Sequence, residues 1–207
     1  MNCAVFASGG GSNFQALLDR RNAGQLHVDF NLMIGNNSNA TAFERARKHD
    51  IPCRHLAPSH FDTPEQYTQQ LLQTLREHKI EMIVLAGYMR MIPETVVKAY
   101  HHKIVNIHPA LLPAFGGKGM YGKKVHQAVI DYGAKITGVT VHFVDEQYDH
   151  GPVILQETVR VEDTDTADTL ADRVLAVEHA SYWKAVEAIA QGAVRVEGRR
   201  VIGADVQ

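Results

Sequence analysis

The stretch NCAVFASGGGSNFQALLDRRN, residues 2–22, decides the fold. Its first six residues are apolar apart from Asn2, which is the pattern of a short buried strand. Three glycines follow. The remainder places Phe14, Leu17 and Leu18 on one side of a 3.6-residue period, so it predicts a helix over 12–22. Strand, glycine turn and helix in sequence form the opening unit of an α/β sheet.

The same rhythm continues outward from this unit. Residues 30–34, 52–56, 82–86 and 103–107 are short apolar runs that predict strands. Between them, 41–49 and 64–78 predict helices, the second carrying Tyr67, Leu71 and Leu75 on one face. A further helix begins at Pro93, taken as its first residue. Alternating strands and helices imply a mostly parallel, twisted, Rossmann-like sheet with helices on both faces. After residue 108 the pattern changes. Longer strands are predicted over 136–144 and 153–161, joined through a turn. A helix over 167–190 and a hairpin over 194–201, turning at Glu197-Gly198, complete an antiparallel C-terminal region.

Composition narrows the functional classes. The 207 residues are 45% hydrophobic and 21% charged, which suits one domain with a full core. A net charge of −2 gives no reason to expect nucleic acid or an anionic membrane surface as partner. The start, MNCAVFASGGGS, lacks a basic segment and a long apolar core, so it is no signal peptide. Cys3 and Cys53 both lie in apolar contexts, as reduced, buried thiols in a cytoplasmic protein would. No cysteine pair or HxxxH spacing offers a metal site.

Three segments carry chemistry. In ASGGGSNFQ, residues 7–15, Gly11, Ser12 and Asn13 stand where a strand gives way to a helix. Free N–H groups at a helix start, with Ser12 and Asn13 as donors, form a phosphate site in kind. A tight turn with Ser12 as N-cap explains the same residues equally well. The spacing matches neither the dinucleotide fingerprint nor the P-loop. VNIHPALLP, residues 105–113, ends a strand, and ligands of open α/β sheets bind beyond the carboxyl ends of strands. Asn106 can donate to an oxyanion, His108 can move a proton near neutral pH, and Pro109 and Pro113 stiffen the exit. LAGYMRMIP, residues 85–93, ends another strand of the same set. DEQYDHGPVI, residues 145–154, offers Asp149 as a carboxylate to orient His108, or an Asp-His-Gly-Pro turn and nothing more. Spacing alone does not bring Asp149 to His108.

Taken together, SGGGSNFQALL, VLAGYMRMI, NIHPALLP and GVTVHFVDEQYDHGPVILQ, in this order, resemble the phosphoribosylglycinamide formyltransferase family. VEHASYW, residues 177–183, fits as well. The resemblance implies a folate-dependent enzyme of purine synthesis. It would move the formyl group of 10-formyltetrahydrofolate to the amine of 5-phosphoribosylglycinamide without a metal. It implies one formyltransferase domain over 1–207, with a nucleotide-binding half at 1–108 and a folate and catalytic half at 109–207. It assigns catalysis to Asn106, His108 and Asp149, and substrate binding to Gly11, Ser12, Asn13 and Glu178. Folate binding falls to Met89, Arg90, Met91, Ile92 and Asn106. Thr140 and His142 match polar positions lining the same cleft. Two departures stand out: Pro64 replaces a basic residue of several relatives, and the loop at 114–125 is longer and richer in glycine. Monomer and homodimer are both left open. The rivals are formyltetrahydrofolate deformylase, methionyl-tRNA formyltransferase and a non-catalytic nucleotide-binding module. The first two carry additional domains that this chain is not expected to have, and the third leaves the trio without purpose.

Overall fold

The computed structural model describes residues 1–203. The chain divides into two compact units, Met1–Val105 and Asn106–Gln207.

In the first unit, β1 (Asn2–Ala7), β2 (Asp29–Gly35), β3 (Cys53–His55) and β4 (Met82–Leu85) form a parallel sheet in the order β3-β2-β1-β4. Strand β1 is paired on both sides and, after Asn2, wholly buried. A central parallel strand is covered on both faces, which is why it reads as a continuous apolar run rather than an alternating one. Helix α1 (Ser12–Asn22) buries Phe14, Leu17 and Leu18, and Phe14 meets Phe30 of β2 edge to face at 5.6 Å. Helix α2 (Ala42–Arg47) packs on α1, β2 and β3. A single 3-10 turn, Pro58–His60, precedes α3 (Pro64–Glu77). That helix starts with Thr63 accepting the Gln66 N–H, and it buries Tyr67, Leu71 and Leu75. Helix α4 (Glu94–Ala99) packs on α3.

Strand β5 (Ile104–His108) carries the chain into the second unit. There, β6 (Ile136–Phe143) and β7 (Val153–Arg160) are antiparallel. Helices α5 (Lys123–Tyr132) and α6 (Ala167–Ala190) pack on each other, and α6 also lies on β6 and β7. A capping box between Thr166 and Thr169 starts α6. The hairpin of β8 (Val194–Glu197) and β9 (Arg200–Gly203) joins β7 through one parallel pair, Val153 with Arg200.

The parallel sheet, its helices and the antiparallel C-terminal strands match the sequence reading. Four details differ. Pro93 is the N-cap and not the first residue of α4, because its ψ of 138° is outside the helical range. Helix α5 is not foreseen, although Val125 and Val129 are buried one turn apart and Gly133, at φ 76°, ends it in the left-handed conformation. Cys53 is half-buried rather than buried. At the start of α1, Gly11 is the N-cap at φ 68°, so Ser12 lies one step inside the helix and does not cap it.

Candidate active site

In the first unit the glycine loop is held from two directions. A Cβ on Gly11 would lie 2.7 Å from the Ala42 Cβ, so glycine is required both by the close approach of α2 and by its positive φ. Arg45 donates through Nε to the Gly10 carbonyl at 2.8 Å. Ser8 joins this loop to the segment after β4. Its N–H donates to the Gly87 carbonyl, its Oγ accepts the Met89 N–H at 2.8 Å, and it donates to Asn36 Oδ1. No side chain caps α1, so the helix start keeps the electropositive end that an anion would meet. Asn13 is buried beside it. Beyond Met89 the chain has no regular structure; Met89, Arg90 and Met91 are exposed, whereas Ile92 turns into the core. Tyr88, underneath, packs on Phe6 and shares a hydrogen bond with Tyr67.

The second unit gathers the trio. Asn106 and His108 sit on alternate positions of β5. His108 is 4% exposed, with Nδ1 3.5 Å from Asp149 Oδ2 and Nε2 2.8 Å from the Phe115 carbonyl. Both ring nitrogens therefore face acceptors, and a doubly protonated imidazole would satisfy both. Burial works the other way and is the larger influence. It holds His108 below its ordinary 6.5, with Asp149 and the Phe115 carbonyl pulling up against it. A carboxylate beside an imidazole ordinarily raises its pKa. Asp149 does pull in that direction, but the dry surroundings outweigh it. The ring is thus neutral near pH 7, with partners already placed for a second proton.

Asp149 adopts φ 53°, a left-handed conformation uncommon outside glycine and asparagine. Its Oδ2 accepts the Gly117 N–H at 2.9 Å. Burial would raise its carboxyl pKa, but contacts with His142, His108 and the Gly117 N–H together hold it below the ordinary value. His142 completes the cluster. Its Nδ1–H donates to the Phe143 carbonyl at 2.7 Å, and its Nε2 lies 3.2 Å from the Asn106 amide nitrogen and 3.8 Å from Asp149 Oδ1. With the Asn106 amide nitrogen donating to His142, its second N–H is left for a substrate oxygen. His142 and Thr140 are buried. Thr140 Oγ1 donates to the Ala110 carbonyl at 2.7 Å and accepts from the Leu112 N–H and from Gln156 Nε2, both at 3.0 Å. It clamps the loop that leaves His108. Glu178 is buried on α6, one turn before the fully buried Tyr182.

Sequence reasoning misses three contributors. The Phe115 carbonyl and the Gly117 N–H are backbone groups, with no side-chain signature. His126, on α5, is buried with Nδ1 lacking a hydrogen-bond partner, and burial, then the neighbouring His108, depress its pKa. Both depressed histidines have a consequence for stability. The unfolded chain takes up protons near 6.5 while the folded chain resists. Their contribution is complete above that pH and is lost as pH falls below it. Thermal melts should therefore show a lower Tm at about pH 5.5 than at about pH 7.5, with a smaller difference in His126→Gln. Asp149 adds to stability above its ordinary 3.8, so its contribution is not lost until pH falls well below that window.

The family model described as "Formyl transferase" matches residues 1–186. The chain is 46% identical to a chloroplastic phosphoribosylglycinamide formyltransferase of Vigna unguiculata, over 91% of this chain and 60% of that protein. It therefore spans less than two thirds of that relative's length. It is 39% identical to the phosphoribosylglycinamide formyltransferase of Bacillus subtilis, over 86% of this chain and 89% of that one. A crystal structure of glycinamide ribonucleotide transformylase 1 from Symbiobacterium toebii superposes with a TM-score of 0.93 at 35% identity, covering 99% of this chain and 94% of the other. The chain belongs to the formyl transferase family, with phosphoribosylglycinamide formyltransferases among its near relatives.

Proposed function

We propose that the protein transfers the formyl group of 10-formyltetrahydrofolate to the amine of 5-phosphoribosylglycinamide, as a step of purine synthesis. The observation that carries this reading is the cluster of Asn106, His108 and Asp149, together with the family membership.

The chemistry follows from these groups. The amine nitrogen attacks the formyl carbon, and the carbonyl oxygen becomes negative. A neutral, buried His108 takes the amine proton, directly or through water, and becomes an imidazolium that Asp149 and the Phe115 carbonyl stabilise. The free N–H of Asn106 donates to the oxyanion, and the nearby imidazolium stabilises it by its charge, where few waters compete and such electrostatics are worth most. The proton passes to N10 as the carbon–nitrogen bond breaks, so the step balances by proton movement alone. The phosphate is assigned to Gly11, Ser12 and Asn13, with Glu178 as a further substrate contact. The pterin is assigned to Met89, Arg90, Met91 and Ile92, where the exposed side chains of Met89 and Met91 occur together with backbone polar groups. The reduced cysteines are consistent with a cytoplasmic setting.

A turnover assay with both substrates tests the reading. Formyl transfer to the ribonucleotide amine is expected, and formate release with water as the sole acceptor would replace the reading with a deformylase. In the same system Asn13→Ala should weaken ribonucleotide binding by about 1.5–3 kcal/mol, the worth of a hydrogen bond to a charged group, with folate binding unchanged. An equal loss for both ligands in calorimetry would remove the dedicated phosphate site.

A further inference from the structure

We propose that Arg199, in the turn of the terminal hairpin, is a positioning residue for Asp149, acting through His150. The inference rests on the formyl-transfer reading above. It concerns a segment beyond the residues that the family model matches.

The hairpin first needs an explanation. None of its strand residues is fully buried, and one residue pair joins it to β7. Hydrophobic burial, the usual reason for a terminal element to stay docked, is weak here. What the hairpin does contribute is a guanidinium. Gly198, at φ 61°, makes the turn, and Arg199 follows it. Arg199 Nη2 donates to the His150 carbonyl at 2.6 Å, and Nη1 donates to His150 Nε2 at 3.3 Å. For Nε2 to accept, the ring proton must be on Nδ1, and Nδ1 lies 2.6 Å from Asp145 Oδ2. The other oxygen of Asp145 accepts the Gln147 N–H at 2.9 Å. Asp145 thus ties both ends of the turn that contains Asp149, and Arg199 grips the residue immediately after it.

That grip acts where the turn is under strain. Asp149 is held at positive φ, a conformation that costs energy in a residue other than glycine and must be imposed by its surroundings. On one side Gly117 holds its carboxylate. On the backbone side the Arg199–His150–Asp145 chain holds the residue that follows it, by its carbonyl and its ring. Without Arg199, the Asp149 backbone gains freedom and its carboxylate spends less time facing His108.

The test uses the full chain as wild type, Arg199→Ala and Arg199→Lys. In Arg199→Ala, kcat should fall roughly threefold to tenfold, the worth of about one ordinary hydrogen bond, with KM for both substrates unchanged. The His108 ring, identified in NMR spectra by comparison with His108→Asn, should titrate at lower pH because Asp149 faces it less often. Arg199→Lys should recover most of the rate, since an ammonium still donates to the His150 carbonyl. Wild-type kcat with an unmoved His108 titration in Arg199→Ala would overturn the proposal. So would a rate loss that merely follows loss of folded protein in the melting curve. Should the wild type transfer no formyl group, the functional reading fails, and the NMR titration still decides the role of Arg199.

Discussion

Asp149→Asn should retain the fold and lose roughly 10²- to 10³-fold in turnover, the scale on which preorganised charge stabilisation acts in such sites. Asparagine tolerates the positive φ at this position, and its amide oxygen still accepts from Gly117. What disappears is the negative charge 3.5 Å from His108 Nδ1. The imidazolium formed during the reaction loses its counter-charge in a site that is already dry. With that charge gone, burial acts on His108 unopposed by Asp149, so its pKa falls further and the acidic limb of the rate profile moves to lower pH. Rates measured across pH, beside circular dichroism and melting, check this. Near wild-type turnover throughout would reduce His108 to a binding residue.

Gly151→Ala should be a severely damaging small substitution in the second unit. A Cβ there would lie 1.9 Å from the Phe143 carbonyl oxygen and 2.8 Å from its carbon. These are backbone atoms at the end of β6, so no rotamer change relieves the clash. The displaced carbonyl is also the acceptor that orients His142, and through it Asn106. A loss of about 3 kcal/mol, which for a chain of this size lowers Tm by roughly 6–12 °C, is expected. Turnover should drop at temperatures where the variant is still folded, because the Asn106 amide loses its reference point. A variant as stable and as active as wild type would mean that the β6–β7 connection is far softer than the geometry implies. Gly138→Ala, whose Cβ would meet the Glu157 carbonyl oxygen at 2.0 Å, serves as a control with a similar clash at a position outside this hydrogen-bond chain.

The first unit is legible in the sequence because its signals are local. Strand β1 is an apolar run that ends at a glycine turn, and α1 announces itself by Phe14, Leu17 and Leu18. The same holds for α3, with Thr63 before Pro64 and three buried residues at helical spacing. Helix α5 is harder to see, because its short buried stripe follows directly on a glycine-rich loop that masks its start at Gly122. Within the candidate site, Asn106 and His108 are legible as alternate residues at a strand end. Their alliance with Asp149 is not, because it depends on the return of β6 and β7, a tertiary event that the resemblance supplies and spacing does not. The groups that reach His108 and Asp149 from the loop, the Phe115 carbonyl and the Gly117 N–H, belong to the backbone, so no side-chain type announces them. Arg199 lies 50 positions beyond Asp149, in a hairpin whose composition looks like an ordinary solvated turn.

The two thiols of the first unit give the molecule a built-in pair of reporters. Cys3 has no exposed surface on β1, and burial pushes its pKa up to about 12, so in the native state it presents almost no thiolate to a reagent. Cys53 is half-buried on edge strand β3, where burial raises its pKa and nearby arginines partly offset the rise. An alkylating agent therefore reaches Cys53 through small excursions at the sheet edge, whereas Cys3 reacts when β1 parts from both β2 and β4. The ratio of the two labelling rates separates fraying of an edge from opening of the sheet's centre, with no engineered probe.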